Sequence, residues 1–232
     1  MTLPLLSDIT TSTETTTEIL YTDADGNVSM LSRFPTSDEL PSEDDTPLES
    51  NWHLEQMELL IESIYRHWDG RHDFFAGGNM FIYSTPHHRQ VRQTRGPDFF
   101  VVKSDHSIAD RERGSWAIWE EDNRAPAVIV ELASASTHLT DTGKKRAIYQ
   151  NDWRVPEYYI MYPRTAFPHR RRRVIGWRLE QGVYMDILPD ARGWLWSTEL
   201  ELWLGTWEGR PKNRHHNVWL RFFAPDGRMV PT

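Results

Sequence analysis

Residues 126–162 read PAVIVELASASTHLTDTGKKRAIYQNDWRVPEYYIMY, and the order of patterns in this stretch decides the fold. Ala127-Val128-Ile129-Val130 is a short unbroken apolar run, the pattern of a central strand covered on both faces. It ends in Glu131. The Ser/Thr-rich run Ser134-Ala135-Ser136-Thr137 leads to Asp141, which fits an N-cap, and a helix is predicted from there to about Trp153, carrying Lys144, Lys145 and Tyr149. Tyr158-Tyr159-Ile160-Met161-Tyr162 then returns as a strand. Strand, helix and strand at this spacing make a βαβ crossover, so the fold class is α/β with some α+β character.

Working upstream, Phe99-Phe100-Val101-Val102 reads as a strand entered through Gly96-Pro97-Asp98. Asp73 to Tyr83 reads as a strand broken at Gly77-Gly78, where a bulge or close backbone approach is expected. Ser50 or Asn51 fits the cap of a helix with Leu54, Met57, Leu60/Ile61, Ile64 and Trp68 on its inward face. Before it, residues 1–45 are rich in Ser, Thr, Asp and Glu, an acidic leader with room for one short strand. Downstream, Trp177, Tyr184, Trp194, Trp196, Trp203, Trp207 and Trp219 alternate with charged residues up to an Asp226-Gly227 turn, the pattern of an antiparallel C-terminal extension. The division expected is a leader over 1–45 and one domain over 46–232.

At 232 residues and 38% apolar content the chain supports one well-buried core. It has no cysteine, which excludes disulfides and thiolate zinc sites. The N-terminus lacks a basic segment followed by an apolar one, and no run approaches the ~20 apolar residues of a membrane span, so a cytoplasmic protein without a membrane partner is expected. The net charge of −8 argues against a polyanionic partner only until it is mapped. Residues 1–50 hold 11 acidic residues and one basic, leaving a body with 23 acidic and 25 basic. Within the body, His169-Arg170-Arg171-Arg172-Arg173 and Arg210-Pro211-Lys212-Asn213-Arg214-His215-His216 are candidates for a phosphate-facing rim or for solvated loops.

Glu131 is the residue folding alone explains least, because a carboxylate at the end of a buried strand is costly unless paired or bound to a cation. Asp98, at the mouth of the neighbouring strand, places a second carboxylate on the same edge. With a backbone carbonyl such as that of Leu132 they form a hard oxygen set suited to Mg²⁺ or Mn²⁺. Lys145 on the adjoining helix, its pKa depressed by burial and a nearby cation, then orients or deprotonates a water or stabilises phosphoryl charge. Each residue also has a structural reading: Asp98 as a turn residue, Lys145 as a solvated lysine, Glu131 as the partner of a buried arginine. The doublets His87-His88 and His215-His216 are poor zinc candidates, since adjacent side chains diverge. His53 fits a capping or surface role better than a place in a cleft. The tryptophans fit a core or interface better than a stack of unpaired bases.

Pro97-Asp98, Glu131 at the end of an apolar strand and a following lysine resemble the PD-(D/E)XK nuclease pattern. More specifically, Arg113-Gly114-Ser115-Trp116, Trp119-Glu120-Glu121, Ala125-Pro126, Glu131 to Thr137, Lys145, Tyr149 and Pro156-Glu157-Tyr158-Tyr159 are similar to the Uma-two family of restriction-endonuclease-like proteins. The likeness extends to Tyr21-Thr22-Asp23-Ala24-Asp25-Gly26, Glu49-Ser50-Asn51 and the Asp226-Gly227 turn. It implies a restriction-endonuclease-like core, a mixed central sheet flanked by helices, with the active site where the Asp98 and Glu131 strands diverge. Position 133, where the simple pattern has lysine, is Ala; the resemblance therefore assigns the lysine to Lys145, four residues before Tyr149, with Lys144 as the runner-up. It also implies a carboxylate on the first helix, for which Glu49 is favoured over Glu55 and Glu58.

The function expected is a metal-dependent endonuclease hydrolysing DNA phosphodiester bonds, with Asp98 and Glu131 on Mg (or Mn) and Lys145 positioning or activating water. The alternatives are a catalytically silent binding or regulatory module on the same fold, and a phosphodiesterase acting on RNA. Cutting both strands of a duplex calls for two sites, so a homodimer is expected.

Overall fold

The computed structural model describes residues 19–22, 28–31, 36, 39, 50–84, 96–109, 111–212 and 214–232. Strands β1 (Ile19–Thr22) and β2 (Val28–Leu31) pair antiparallel, a two-stranded ribbon where the leader's sequence suggests one strand. Helix α1 (Asn51–His67) starts at Ser50, whose hydroxyl accepts the His53 N–H at 3.3 Å. Its buried stripe is Trp52, His53, Gln56, Leu59, Leu60, Ser63 and Ile64, while Leu54 is exposed. The stripe is rotated from the apolar periodicity because three polar residues face inward, each with a backbone partner. His53 Nε2 lies 2.8 Å from the Leu132 carbonyl, the Gln56 amide bonds both N–H and C=O of Leu220, and Ser63 Oγ donates to the Leu59 carbonyl.

After α1 come β3 (Phe74–Gly77), β4 (Ile82–Tyr83), β5 (Phe99–Lys103), β6 (Trp116–Ala117) and β7 (Val128–Leu132). The helical segments His138–Thr140, Asp141–Lys145 and Arg146–Asn151 run on as one helix, α2, the middle segment being a π-helical turn. Asp141 therefore lies inside this helix rather than capping it. Strands β8 (Glu157–Met161), β9 (Val174–Glu180), β10 (Val183–Asp186), β11 (Leu195–Ser197), β12 (Leu202–Gly209) and β13 (Asn217–Phe223) complete the chain. Six strands form the central sheet in the order β10-β9-β8-β7-β5-β3. The pair β7-β8, joined through α2, is parallel, and the other four pairs are antiparallel, so the sheet is mixed, as expected. The C-terminal antiparallel region divides. The β9-β10 hairpin extends the central sheet, while β11, β12 and β13 form a separate three-stranded sheet.

Strand alternation sends the two sheet faces to different cores. Phe99, Val101, Val128, Val130, Tyr159 and Met161 pack with α1 and the C-terminal sheet, where Trp52 stacks on Trp219 at 6.1 Å. Phe100, Val102, Ile129, Tyr158 and Ile160 pack with Ile148, Tyr149 and Trp153 of α2. By the same alternation Asp98 and Glu131 belong to the α2 face. The register pairs Phe99 with Val130, so its continuation sets Asp98 opposite Glu131.

Gly78, in the break between β3 and β4, is where the close approach falls. A Cβ there would lie 2.3 Å from the Asp98 carbonyl oxygen and 2.6 Å from Met57 Cγ and Sδ. We expect Gly78→Ala to push the Asp98 backbone off the sheet edge and destabilise the fold by about 1–3 kcal/mol, the usual range for overpacking. Urea unfolding measures this; an unchanged midpoint would mean that the edge yields freely at Asp98.

Candidate active site

The β5-β7 edge gathers four ionisable side chains from three elements. Glu131 is 1% exposed; Tyr149 OH donates to its Oε1 at 2.8 Å, and Lys145 Nζ lies 3.0 Å from its Oε2. Asp98 Oδ2 accepts the Leu132 N–H at 2.7 Å, and its carboxyl is within hydrogen-bonding reach of Glu131. Asp141, also 1% exposed, places Oδ1 3.1 Å from Lys145 Nζ. The ammonium thus bridges two buried carboxylates, while the Leu132 peptide is held by Asp98 at its N–H and by His53 at its C=O. A carbonyl accepts, so Nε2 is the protonated nitrogen of His53.

Helix α2 supplies this arrangement through four-residue steps. Asp141, Lys145 and Tyr149 lie on one helical face, and the π turn spans Asp141 to Lys145. Tyr158 OH, from β8, donates to the Asp141 carbonyl at 3.0 Å and ties that turn to the sheet.

Burial dominates the electrostatics. Desolvation pushes Glu131 up to about 7 and Asp98 up to about 6, against the pull of the Lys145 charge on both. Asp141 is raised as well, by burial and then by the Glu131 charge. Desolvation draws Lys145 down, but attraction to Glu131, Asp141 and Asp98 prevails, and its pKa lies above the ordinary lysine value. Burial alone does not depress Lys145: among these carboxylates it stays charged, suited to orienting water or stabilising negative charge.

A carboxyl whose pKa is raised on folding contributes stability that is fully present below its unfolded value, near 4, and lost as pH rises through its folded value. In a chelator, the protein should therefore lose stability between about pH 4 and 8 as Asp98 and then Glu131 ionise. Melting temperatures of wild type and Glu131→Gln across that range test this. The variant's curve should be flatter, and parallel curves would contradict the assignment.

Other buried carboxylates show what a structural role looks like. Glu157 accepts from Arg178 Nε, Thr198 N, Tyr159 OH and Ser197 OH, a saturated set joining β8, β9 and β11. Glu121 takes both prongs of the Arg113 guanidinium. Glu131 has no arginine among these partners, only a hydroxyl, an ammonium and a second carboxyl.

Among the sequence candidates, Asp98, Glu131 and Lys145 come together, and Leu132 lies between them and His53. Lys144 is exposed on α2. Glu55 and Glu58 turn instead toward the C-terminal region, Glu55 pairing with His215 at 3.2 Å and Glu58 with Arg214 at 2.8 Å. Glu49 and the His87-His88 doublet lie outside the described residues. Asp141 and His53 were missed. The Asp141-Lys145-Tyr149 spacing was the available signal for the first; a cleft-facing His53 was set below a capping or surface role, since its partner lies 79 residues away.

No group of three or more His, Asp or Glu side chains among the described residues is arranged to hold a metal ion unaided. A cation here would rest on two carboxylates supplemented by backbone carbonyl and water. The donor chemistry fits that role: Asp98 and Glu131 are adjacent hard oxygen ligands, while Asp141 Oδ1 already faces the Lys145 ammonium at 3.1 Å.

A mixed sheet flanked by helices, with paired carboxylates and a lysine at the ends of two neighbouring strands, is the restriction-endonuclease-like arrangement. The family model described as "Putative restriction endonuclease" matches residues 43–207, and the chain belongs to this Uma2 (Uma-two) family. Among solved structures it is similar to a crystal structure titled as a "putative nuclease belonging to DUF820" from Anabaena variabilis, at 15% identity and a TM-score of 0.45, covering 68% of this chain and 87% of that one. A search of curated proteins finds no match. No helix among the described residues is long and apolar enough to cross a membrane.

Proposed function

We propose that the protein is a divalent-metal-dependent nuclease hydrolysing DNA phosphodiester bonds at the Asp98–Glu131–Lys145 site. The observation that carries this reading is the pair of carboxyls, Asp98 bonded to the Leu132 N–H and Glu131 buried opposite it across the β5-β7 register, with the Lys145 ammonium 3.0 Å from Glu131. Two neighbouring acids that resist ionisation together exchange their protons readily for a divalent cation. Asp98 and Glu131 would hold Mg²⁺ or Mn²⁺, with the Leu132 carbonyl as a further oxygen, its second lone pair left by His53. When bound, the cation polarises the scissile phosphate and acidifies water.

The chain's own residues set the geometry. Tyr149 fixes one oxygen of Glu131, so its carboxyl plane cannot swing away. Asp98 is fixed by the Leu132 N–H. Lys145 directs its ammonium to the attacking water and to the charge that develops on phosphorus-bound oxygens. Asp141 keeps Lys145 charged and aimed, and is a positioning residue. Glu49 is proposed as the carboxylate contributed from before α1. For duplex cleavage the proposal includes a homodimer, which sedimentation showing a monomer at micromolar concentration would remove.

Calorimetric titration with Mn²⁺ at about pH 6, in buffers of different ionisation enthalpy, tests the site. Binding should release protons there and fewer at about pH 8. Absence of binding would hand the fold to the silent-module reading, and cleavage of RNA in preference to DNA would move the substrate to RNA.

A further inference from the structure

We propose that the loop after β8, through Arg170 and Arg171, is the track that grips the phosphate backbone of the nucleic acid presented to this site. The proposal rests on the nuclease reading for its substrate. Strands β7 and β8 are parallel with Leu132 opposite Met161, so both release their chains at the same sheet edge. One chain leads into the Glu131 site and the other into residues 162–173.

Ring contacts fasten that loop to the site. His138, three residues before Asp141, stacks on Phe167 at 5.3 Å. Phe167 meets Tyr162 edge-on at 5.1 Å, and the Arg170 guanidinium lies 3.5 Å over the Tyr162 ring. Buried Tyr162 feels both neighbours, since its hydroxyl, raised chiefly by burial, is lowered by Arg170 and raised by Asp141. His138 on α2 and Arg170 in the loop are therefore joined through the Phe167 and Tyr162 rings.

The loop's positive charge is poorly compensated. His169, Arg170, Arg171 and Arg172 are exposed. The guanidinium bonds of Arg170, Arg172 and Arg173 go to backbone carbonyls, which satisfy donors without neutralising charge. Among the described residues, Arg164 alone in this loop pairs with a carboxylate, Glu208 at 2.7 Å. Arg173 is lowered by burial and by repulsion from Arg164 and Arg170, the mark of crowded like charges. The other basic run differs: Lys212 pairs with Glu62 and Arg214 with Glu58, so α1 neutralises two of its three lysine and arginine side chains and, among the described residues, leaves only Arg210. Crowded guanidiniums held by carbonyls, beside a phosphodiester site, suit the repeating charges of a polynucleotide.

Fluorescence anisotropy of a labelled DNA duplex, with an RNA duplex as a second arm, tests this between about 0.05 and 0.3 M salt in Ca²⁺ to hold turnover down. Arg170→Gln/Arg171→Gln should weaken binding roughly 10- to 100-fold at about 0.1 M salt and lower the salt slope by about 2. Arg171→Glu, at an exposed side chain with no bonded partner among the described residues, should weaken binding with an unchanged melting temperature. Lys212→Gln should leave the slope as it is. Loop variants that bind like wild type, an equal loss in Lys212→Gln, or no binding by wild type to either duplex would overturn the track. If the loop variants lose duplex binding while wild type takes up no Mn²⁺, the track stands and the nuclease reading fails. If wild type cleaves and the loop variants cleave and bind alike, the reverse holds.

Discussion

Lys145→Ala should keep its divalent cation and lose its chemistry. Cleavage should fall by the ~10²–10⁴-fold typical of removing a positioned catalytic group, while Mn²⁺ affinity holds or tightens because a competing positive charge has left the carboxylates. The ammonium lies 3.0 Å from Glu131 and 3.1 Å from Asp141, so its removal strands two buried anions. In a chelator the variant should be less stable than wild type. The loss should stay below the ~3–5 kcal/mol of a fully buried broken pair, since Lys145 retains 17% side-chain exposure and the carboxyls can take up protons. Added Mn²⁺ should restore the melting temperature but not the activity. Lys144→Ala, at an exposed position, should do neither. An inactive Lys144→Ala beside an active Lys145→Ala would reassign the lysine.

Glu131→Gln and Asp98→Asn should fail in the opposite way. Both keep side-chain volume and hydrogen-bonding capacity, yet each removes an anionic ligand, so Mn²⁺ affinity should drop by more than the ~10–100-fold usual for a residue that merely supports a ligand. Cleavage should vanish with it. Glu131→Gln retains an oxygen for the Tyr149 hydroxyl and leaves Asp141 to hold Lys145, so the fold should survive. Calorimetry on folded variants checks this, and wild-type affinity in either would remove that residue from the site.

The sheet's central strand was legible because four consecutive apolar residues at 127–130 have few other uses, and Glu131 was conspicuous as the charge that terminates them. Asp98 and Lys145 were less conspicuous, since a turn aspartate and a helix lysine have ordinary explanations, and the family resemblance was what set Lys145 above Lys144. Asp141 looked like a cap because an acidic residue near a helix start has the same local signature whether it caps the backbone or is buried against a lysine one turn on. The inward face of α1 was legible at Leu60, Ile64 and Trp68, but Leu54 is exposed and two polar residues take inward positions for a related reason. His53 and Gln56 are tolerated inside only because the Leu132 and Leu220 backbone groups receive them, across 79 and 164 residues of sequence. The two basic runs, alike in composition, separate once Glu58 and Glu62 on α1 are seen to pair with Arg214 and Lys212 of one of them.

The most direct test of the Asp98–Glu131–Lys145 site is cleavage of an end-labelled DNA duplex by purified wild type in Mg²⁺ or Mn²⁺, run beside EDTA and beside Glu131→Gln in the same metal. Products in the metal lane alone, absent with chelator and absent with the variant, are the predicted result. Equal cleavage by Glu131→Gln, or by wild type in EDTA, would contradict it.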